Sequence, residues 1–227
     1  MKTSPLDFLL SAVALGLILV CACAIAAWVV TPLSIRFFGD YHVIADSLLF
    51  LLSFGLLAAL LTRILLVVRP LRSGNYSMDD PIFVYWKLLT VIYEFGRGAL
   101  LPFTTVFARP LVAALFGAKV GGNAALGGRI VDPPLVVIAD GAVFGLNSVL
   151  APHTITSGRI ILGTVRVGRG ATVGVGVVVM AGVEIGDGAV VAAGSVLPPF
   201  TKVPAGELWG GAPARKIKVI EPTDLRG

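Results

Sequence analysis

The sequence is poor in cysteine, histidine and charge. Its two cysteines, Cys21 and Cys23, stand two apart inside an apolar run, and on a helix such residues do not share a face. They therefore indicate neither a disulfide nor a metal site, and read as small packing or lipid-facing residues. A lipoprotein-type cleavage site before Cys23 is the lesser reading, because only Lys2 precedes the apolar run and a second apolar span follows. Two histidines, His42 and His153, are too few for a zinc site built on three of them. Charged residues make up 14% of the 227 and aromatic residues 8%. The net charge of +5 is spread along the chain without interleaved aromatics, which argues against nucleic acid as a partner.

What the sequence has instead is apolar surface, 56% of all residues, far above the soluble average. From Phe8 to Val30 nothing is charged, about the length that crosses roughly 30 Å of hydrocarbon as a helix. A second run, Ile44 to Val68, carries Asp46 near its start and Arg63 near its end, where such groups reach the interface. The connection Thr31 to Val43 is short and contains Pro32 and Gly39, so residues 1–80 read as an antiparallel transmembrane hairpin. His42 falls in that connection and reads as an interfacial polar residue. Lys2, Arg69 and Arg72 flank the outer ends against Arg36 between the spans, a bias that places both termini in the cytoplasm. Residues 81–117 read as interfacial helices. Phe83, Tyr85, Trp86 and Tyr93 act there as aromatic anchors, and the stretch Leu100 to Phe116 is broken by Pro102 and Pro110. A soluble helical collar is the alternative for that last piece.

The second half has a different period. Ile161, Val167, Val173, Val179, Ile185, Val191, Leu197, Val203 and Trp209 recur every sixth residue, and Val120, Leu126, Ile138, Phe144 and Leu150 continue the phase backwards, with Asp132 and Pro133-Pro134 breaking it. Neither a helix nor an ordinary hairpin has this period. It fits short strands joined by tight turns, one apolar side chain per strand pointing inward and glycine, as at Gly168, Gly174, Gly186 and Gly210, available where φ is positive. Three strands close a triangular coil of about eighteen residues, so residues 118–214 read as a parallel β-helix, followed by a basic tail at 215–227. The step from Leu150 to Ile161 is eleven, which implies an insertion of about five residues. A loop that leaves a regular scaffold at one point is where function is usually placed.

With the repeat, the unit Gly194-Ser195-Val196 and the ending Trp209-Gly210-Gly211-Ala212-Pro213-Ala214-Arg215, the chain resembles the hexapeptide-repeat acyltransferases over roughly 120–217. Its hydrophobic first half and the His153 to Arg159 loop are also similar to the membrane-embedded C-terminal domains of non-ribosomal peptide synthetases of the polylysine-synthetase type. The resemblance implies an α+β membrane protein: a transmembrane hairpin and interfacial helices, then a left-handed parallel β-helix. It further implies a homotrimer with active sites at subunit interfaces, acetyl-CoA or another acyl-CoA as co-substrate, and no metal. The expected place is a bacterial-type inner membrane with the catalytic domain in the cytoplasm.

His153, the sole histidine of the repeat half, lies where the repeat is interrupted. Acyl transfer requires a hydroxyl or amine to lose a proton as it attacks a thioester, and imidazole titrates near operating pH. His153 is thus the expected general base, acting by direct transfer because no serine or cysteine nucleophile accompanies it. Asn147 corresponds to an asparagine that orients base or acceptor in related enzymes, with a turn asparagine as the equal alternative. By position, Ser195, Thr201, Lys202, Arg215 and Lys216 would hold the pantetheine arm and phosphates of the cofactor, although Leu197-Pro198-Pro199 departs from the polar residues many relatives carry. For Lys216 and Lys218 a solvated cationic tail is the alternative. Acceptors expected are small molecules, lipids or saccharides. Two other functions fit the scaffold: a γ-type carbonic anhydrase, short of zinc ligands here, and a non-catalytic trimeric membrane scaffold.

Overall fold

A computed structural model of the chain describes residues 3–221, so Lys2 and the last six residues of the expected tail lie outside the described residues. The chain divides into two compact units. One comprises residues 1–70 and 81–104, the other 71–80 and 105–227.

The first unit is helical. Helix α1, Pro5–Ile25, starts at a capping box in which Ser4 and Asp7 satisfy each other's backbone N–H groups. It runs through a π-helical turn, Ala26–Val30, into α2, Thr31–Phe38. The chain reverses at Gly39, where φ is +52°, and returns as α3, His42–Val68. The connection expected as a loop is therefore mostly helix, and Pro32 directly follows the π-helical turn Ala26–Val30, where the α-helical bonding pattern is already interrupted. Asp46 gathers the hairpin's polar groups. It accepts from Thr31 Oγ1 at 3.0 Å, faces His42 Nδ1 at 3.0 Å and takes the Ser34 hydroxyl, which clasps α2 to α3. Residues 5–68 form the one stretch among the described residues long and apolar enough to cross a membrane, with a window of mean hydropathy 2.8 that is 17% buried.

Helix α4, Pro81–Leu100, packs on α3 and α1. The four aromatics expected there as interfacial anchors are core residues instead, since Phe83, Tyr85, Trp86 and Tyr93 are all buried. The ring of Phe83 stacks on Trp86 at 5.8 Å, Tyr85 Oη lies 2.7 Å from the Arg69 carbonyl, and buried Lys87 pairs with Asp7. The aromatic residues that suggested an interfacial helix belong to a face turned toward two other helices.

The second unit is a parallel β-helix of three sheets. The first face stacks Lys119–Val120, Val136–Ile138, Val165–Val167, Glu184–Ile185 and Lys202–Val203. The second stacks Ala125–Leu126, Val143–Phe144, Thr172–Val173, Val190–Val191 and Glu207–Gly211. The third stacks Arg129–Ile130, Val149–Leu150, Val178–Val179 and Val196–Leu197. Val167 stands opposite Ile185 and Ile185 opposite Val203, a coil of eighteen residues. The ladder residues are buried together with the small side chains two places before them, Ala171, Ala189 and Ser195.

Two kinds of glycine serve the coil. In the regular coils from Val167 to Val203 the positive φ lies three residues after the inward side chain, as at Gly182 with φ +70°, not at the glycine that directly follows it. Gly174, one of the latter, is needed for close approach. A Cβ there would sit 2.6 Å from the Ala193 nitrogen of the next coil. The chain after Gly211 turns back as an antiparallel strand, Ala214–Val219, on Glu207–Gly211, so the described part of the expected basic tail is strand.

Candidate active site

The irregular part of the β-helix is the corner between the third and first faces. Ile138 stands opposite Val167, a separation of 29, so the insertion is 29 − 18 = 11 residues instead of about five. Ile161 accordingly is not a coil residue. It belongs to an arm made of two antiparallel strands, His153–Thr156 and Arg159–Leu162, turned by Ser157 and Gly158 with φ of +46° and +75°. The β-branched residues of Thr154-Ile155-Thr156 favour extended backbone. The bond from Gly163 N to Pro152 O at 2.8 Å closes the neck of the arm.

The arm has a third strand, Gly74–Ser77, which pairs antiparallel with Arg159–Leu162. Arg159 Nε donates to Asn75 Oδ1 at 2.7 Å, and Thr164 N donates to Ser73 Oγ at 3.0 Å. Residues 71–80, read from sequence as the end of the membrane hairpin, thus fold with the inserted arm.

One coil earlier the same corner is also distorted. Leu126 stands opposite Phe144 at eighteen residues, but Ile130 stands opposite Leu150 at twenty. Ile130 therefore fills the inward slot that a strict six-residue count gives to position 132. Asp132 is displaced onto the corner ahead of the turn Pro133–Leu135, directly below the root of the arm. Its Oδ2 lies 2.6 Å from His153 Nδ1. Asp132 is 4% exposed and the His153 side chain 23%. A carboxylate is an acceptor, so Nδ1 carries the proton and the lone pair of His153 is on Nε2. The sequence signal for this partner was present as the break in phase at Asp132, but nothing local connects it to a residue 21 positions later.

The other expected residues are dispersed. Asn147 is not on the same edge as His153. It occupies the corner between the second and third faces with φ +58°, in the turn slot that Gly176 and Gly194 fill in the coils above, and it is exposed. Ser195 is fully buried, donating to Ala192 O at 2.6 Å and accepting from Gly211 N at 3.2 Å. Its hydroxyl braces the last coil and has no surface to offer a cofactor. Thr201 Oγ1 donates to Pro198 O at 2.7 Å. Lys202 is exposed on the first face, 3.6 Å from Glu184. Together with Arg166 they wall a groove of about 470 Å³ ending at Ala205. Arg215 and Lys216 lie on the terminal strand, where Lys216 Nζ binds Glu207 Oε1 at 2.6 Å and the Arg215 guanidinium reaches the Ala214 carbonyl. The Glu207 carboxyl is held below its ordinary pKa by the hydrogen bond from Lys216, then by that from Trp209, against some desolvation. Among the described residues no group of three His, Cys, Asp or Glu side chains is gathered as a metal ion would require.

Residues 164–199 match the family model described as bacterial transferase hexapeptide, six repeats. No curated protein matches the chain. Among solved structures, the chain is similar to a hexapeptide-repeat acetyltransferase of Vibrio cholerae O1 biovar eltor complexed with acetyl coenzyme A, at 24% identity and a TM-score of 0.43, over 46% of this chain and 61% of that one. The chain therefore spans less than two thirds of that protein's length. It is similar to a maltose O-acetyltransferase of Clostridium difficile 630 at 20% identity and a TM-score of 0.47, over 70% of this chain and 97% of that one. A galactoside acetyltransferase in complex with coenzyme A is 19% identical with a TM-score of 0.46, over 75% of this chain and 85% of that one.

Proposed function

We propose that the chain is a membrane-anchored acyltransferase that moves an acyl group, acetyl in the simplest case, from coenzyme A to a hydroxyl or amine acceptor. The observation that carries this reading is the His153–Asp132 pair at the root of the one arm that leaves a hexapeptide-repeat β-helix. His153 Nε2 takes the acceptor proton as the acceptor oxygen or nitrogen bonds to the thioester carbon. The imidazolium that forms is stabilised by Asp132, and its proton goes to the sulfur as the carbon–sulfur bond breaks. Asp132 is a positioning residue: it sets the tautomer and faces the charge that develops. The transferase match supports the reaction class, and the acetyltransferase neighbours bind coenzyme A or acetyl coenzyme A.

Lys202, exposed on a groove wall, and Arg215, exposed on the terminal strand, are suited to the cofactor's phosphates. The exposed apolar side chains Leu146 and Val175, which occupy equivalent corner positions in successive coils, suit burial against further copies in a homotrimer. Membrane anchoring rests on the length and exposure of residues 5–68, and a cytoplasmic β-helix rests on the cation bias of the flanks.

The test is thiol release from acetyl-CoA by purified protein given a panel of saccharides and lipid alcohols. Acceptor-dependent release is expected, abolished by His153→Ala with an unchanged thermal transition. Wild-type release by His153→Ala would remove the assigned base, and no release or coenzyme A binding by the wild type would leave a non-catalytic scaffold.

A further inference from the structure

Helix α4 has its polarity reversed with respect to water. Lys87 is 9% exposed and bound to Asp7 of α1. The face turned away from α1 and α3 presents Val84, Leu88, Val91 and Phe95, three or four residues apart, and Phe95 is 57% exposed. A helix bounded by water keeps its charges on the outside. The depth of α4 in the helical unit follows from its contacts with α3. At one end Tyr85 Oη donates to the carbonyls of Leu65 and Arg69, at 2.9 and 2.7 Å. At the other end Leu100 closes on Gly55, where an added Cβ would meet the Leu100 side chain and lie 3.1 Å from Gly96 O. The two helices are therefore antiparallel. Leu100 is level with Gly55, the middle residue of α3 and thirteen from either end. From Tyr85 to Leu100 the helix rises about 22 Å, against about 30 Å of hydrocarbon in a bilayer.

We infer that α4 is a half-spanning membrane helix. It enters the bilayer beside the end of α3, runs inward along α1 and α3 with its Val84 to Phe95 stripe in lipid hydrocarbon, and ends near the midplane. The inference rests on the membrane-anchored reading of residues 5–68 and adds a third helix to those two. A helix lying flat in the interface would cross a spanning helix, whereas α4 follows α3 over half its length. Its charges are paired, Lys87 with Asp7 and Arg97 with Glu94, as intramembrane charges are. Thr90 Oγ1 donates to Trp86 O at 2.9 Å, and Thr62 Oγ1 of α3 donates to Ala58 O at 2.9 Å, so these hydroxyls need no water. The end of α4 is finished in the same way: Thr104 Oγ1 donates to Leu100 O at 2.6 Å and Thr104 N to Leu101 O at 3.0 Å, which bonds carbonyls that a helix C-terminus leaves open.

The test uses the full chain with Cys21→Ala and Cys23→Ala in phosphatidylcholine nanodiscs, carrying one nitroxide at a time at Pro81→Cys, Phe95→Cys, Leu56→Cys or Val68→Cys. It reads collisions with oxygen, which concentrates in hydrocarbon, and with a nickel chelate, which stays in water. A thermal melt of each labelled chain confirms the fold, and Val91→Cys on the same stripe replaces Phe95→Cys if that label disturbs it. Pro81 and Val68 are expected to collide mainly with nickel and Leu56, beside Gly55, mainly with oxygen. Phe95 is expected to lose the nickel collisions that Pro81 shows and to match Leu56. Nickel-dominated collisions at both Pro81 and Phe95, with Leu56 in oxygen, would place α4 in water and overturn the inference while keeping the anchor. Equal, intermediate depth at Pro81 and Phe95 would show a helix lying flat and overturn it too. Nickel-dominated collisions at Leu56 would overturn the anchored reading itself, and the inference with it.

Discussion

Replacing Asp132 by asparagine keeps the shape of the side chain below His153 and removes its charge. In the native pair the carboxylate oxygen lies 2.6 Å from Nδ1 and the residue is 4% exposed, so water screens the interaction little. With the charges centred about 4 Å apart and an effective dielectric of about 20, a carboxylate stabilises a neighbouring imidazolium by about 4 kcal/mol. Proton transfer from the acceptor turns His153 into the imidazolium, so losing the carboxylate's charge raises the barrier to reaction. At about 1.4 kcal/mol per tenfold, turnover should drop on the order of a thousandfold. An amide can in addition turn its NH₂ toward Nδ1, which moves the proton to Nε2 and removes the base outright. The folded state loses less, about 1 kcal/mol of charge-assisted bonding, or roughly 2–4 °C of melting temperature for a chain of this size. The assay is thiol release at saturating acetyl-CoA and acceptor, with a thermal melt of the same sample. Turnover within threefold of wild type, beside an inactive His153→Ala, would refute the reasoning and reduce Asp132 to a brace for the arm.

Two further outcomes test the scaffold. Gly174→Ala forces a Cβ to within 2.6 Å of the Ala193 nitrogen; the coils must part, at a cost of about 2 kcal/mol, visible as a melting temperature lower by roughly 4–8 °C. The terminal strand should loosen in acid. Glu207 has a lowered pKa in the folded chain, chiefly through Lys216, so its contribution is complete above the ordinary glutamate pKa and disappears as pH falls through the lowered value. Proteolysis of the 214–219 strand should rise across that window in the wild type, and Lys216→Ala should flatten the pH dependence.

The repeat was legible because burial in a β-helix is periodic in the chain. One inward residue in six is a local rule, and it locates Val167 to Trp209 without reference to anything distant. It misplaces residues where the coil departs from six. Ile161 keeps the count by coincidence yet lies on the arm, and position 132 keeps it while Ile130 does the packing. The glycines show the same limit. Their recurrence is visible, but whether a glycine supplies a positive φ or a close approach is not: Gly174 is needed for close approach alone, whereas Gly182 has a positive φ. In the helical half, composition measures how apolar α4 is but not what covers it. Tyr85 and Trp86 read as membrane anchors until α1 and α3 are set against them.

The site depends most on what a sequence hides. His153 was conspicuous as a lone imidazole at an interruption, whereas its partner comes from the preceding coil, and the strand that completes the arm, Gly74–Ser77, is 82 residues from its partner at the Ser77–Arg159 pair and 88 at the Gly74–Leu162 pair. Both the two-residue shift at Ile130 and the eleven-residue arm fall on the same corner in successive coils. Either one alone would leave a regular prism with a blemish. Together they lift one histidine out of the coil and set a buried carboxylate beneath it, an arrangement that the repeat itself, with its inward Val and Ile ladders, has no means to supply.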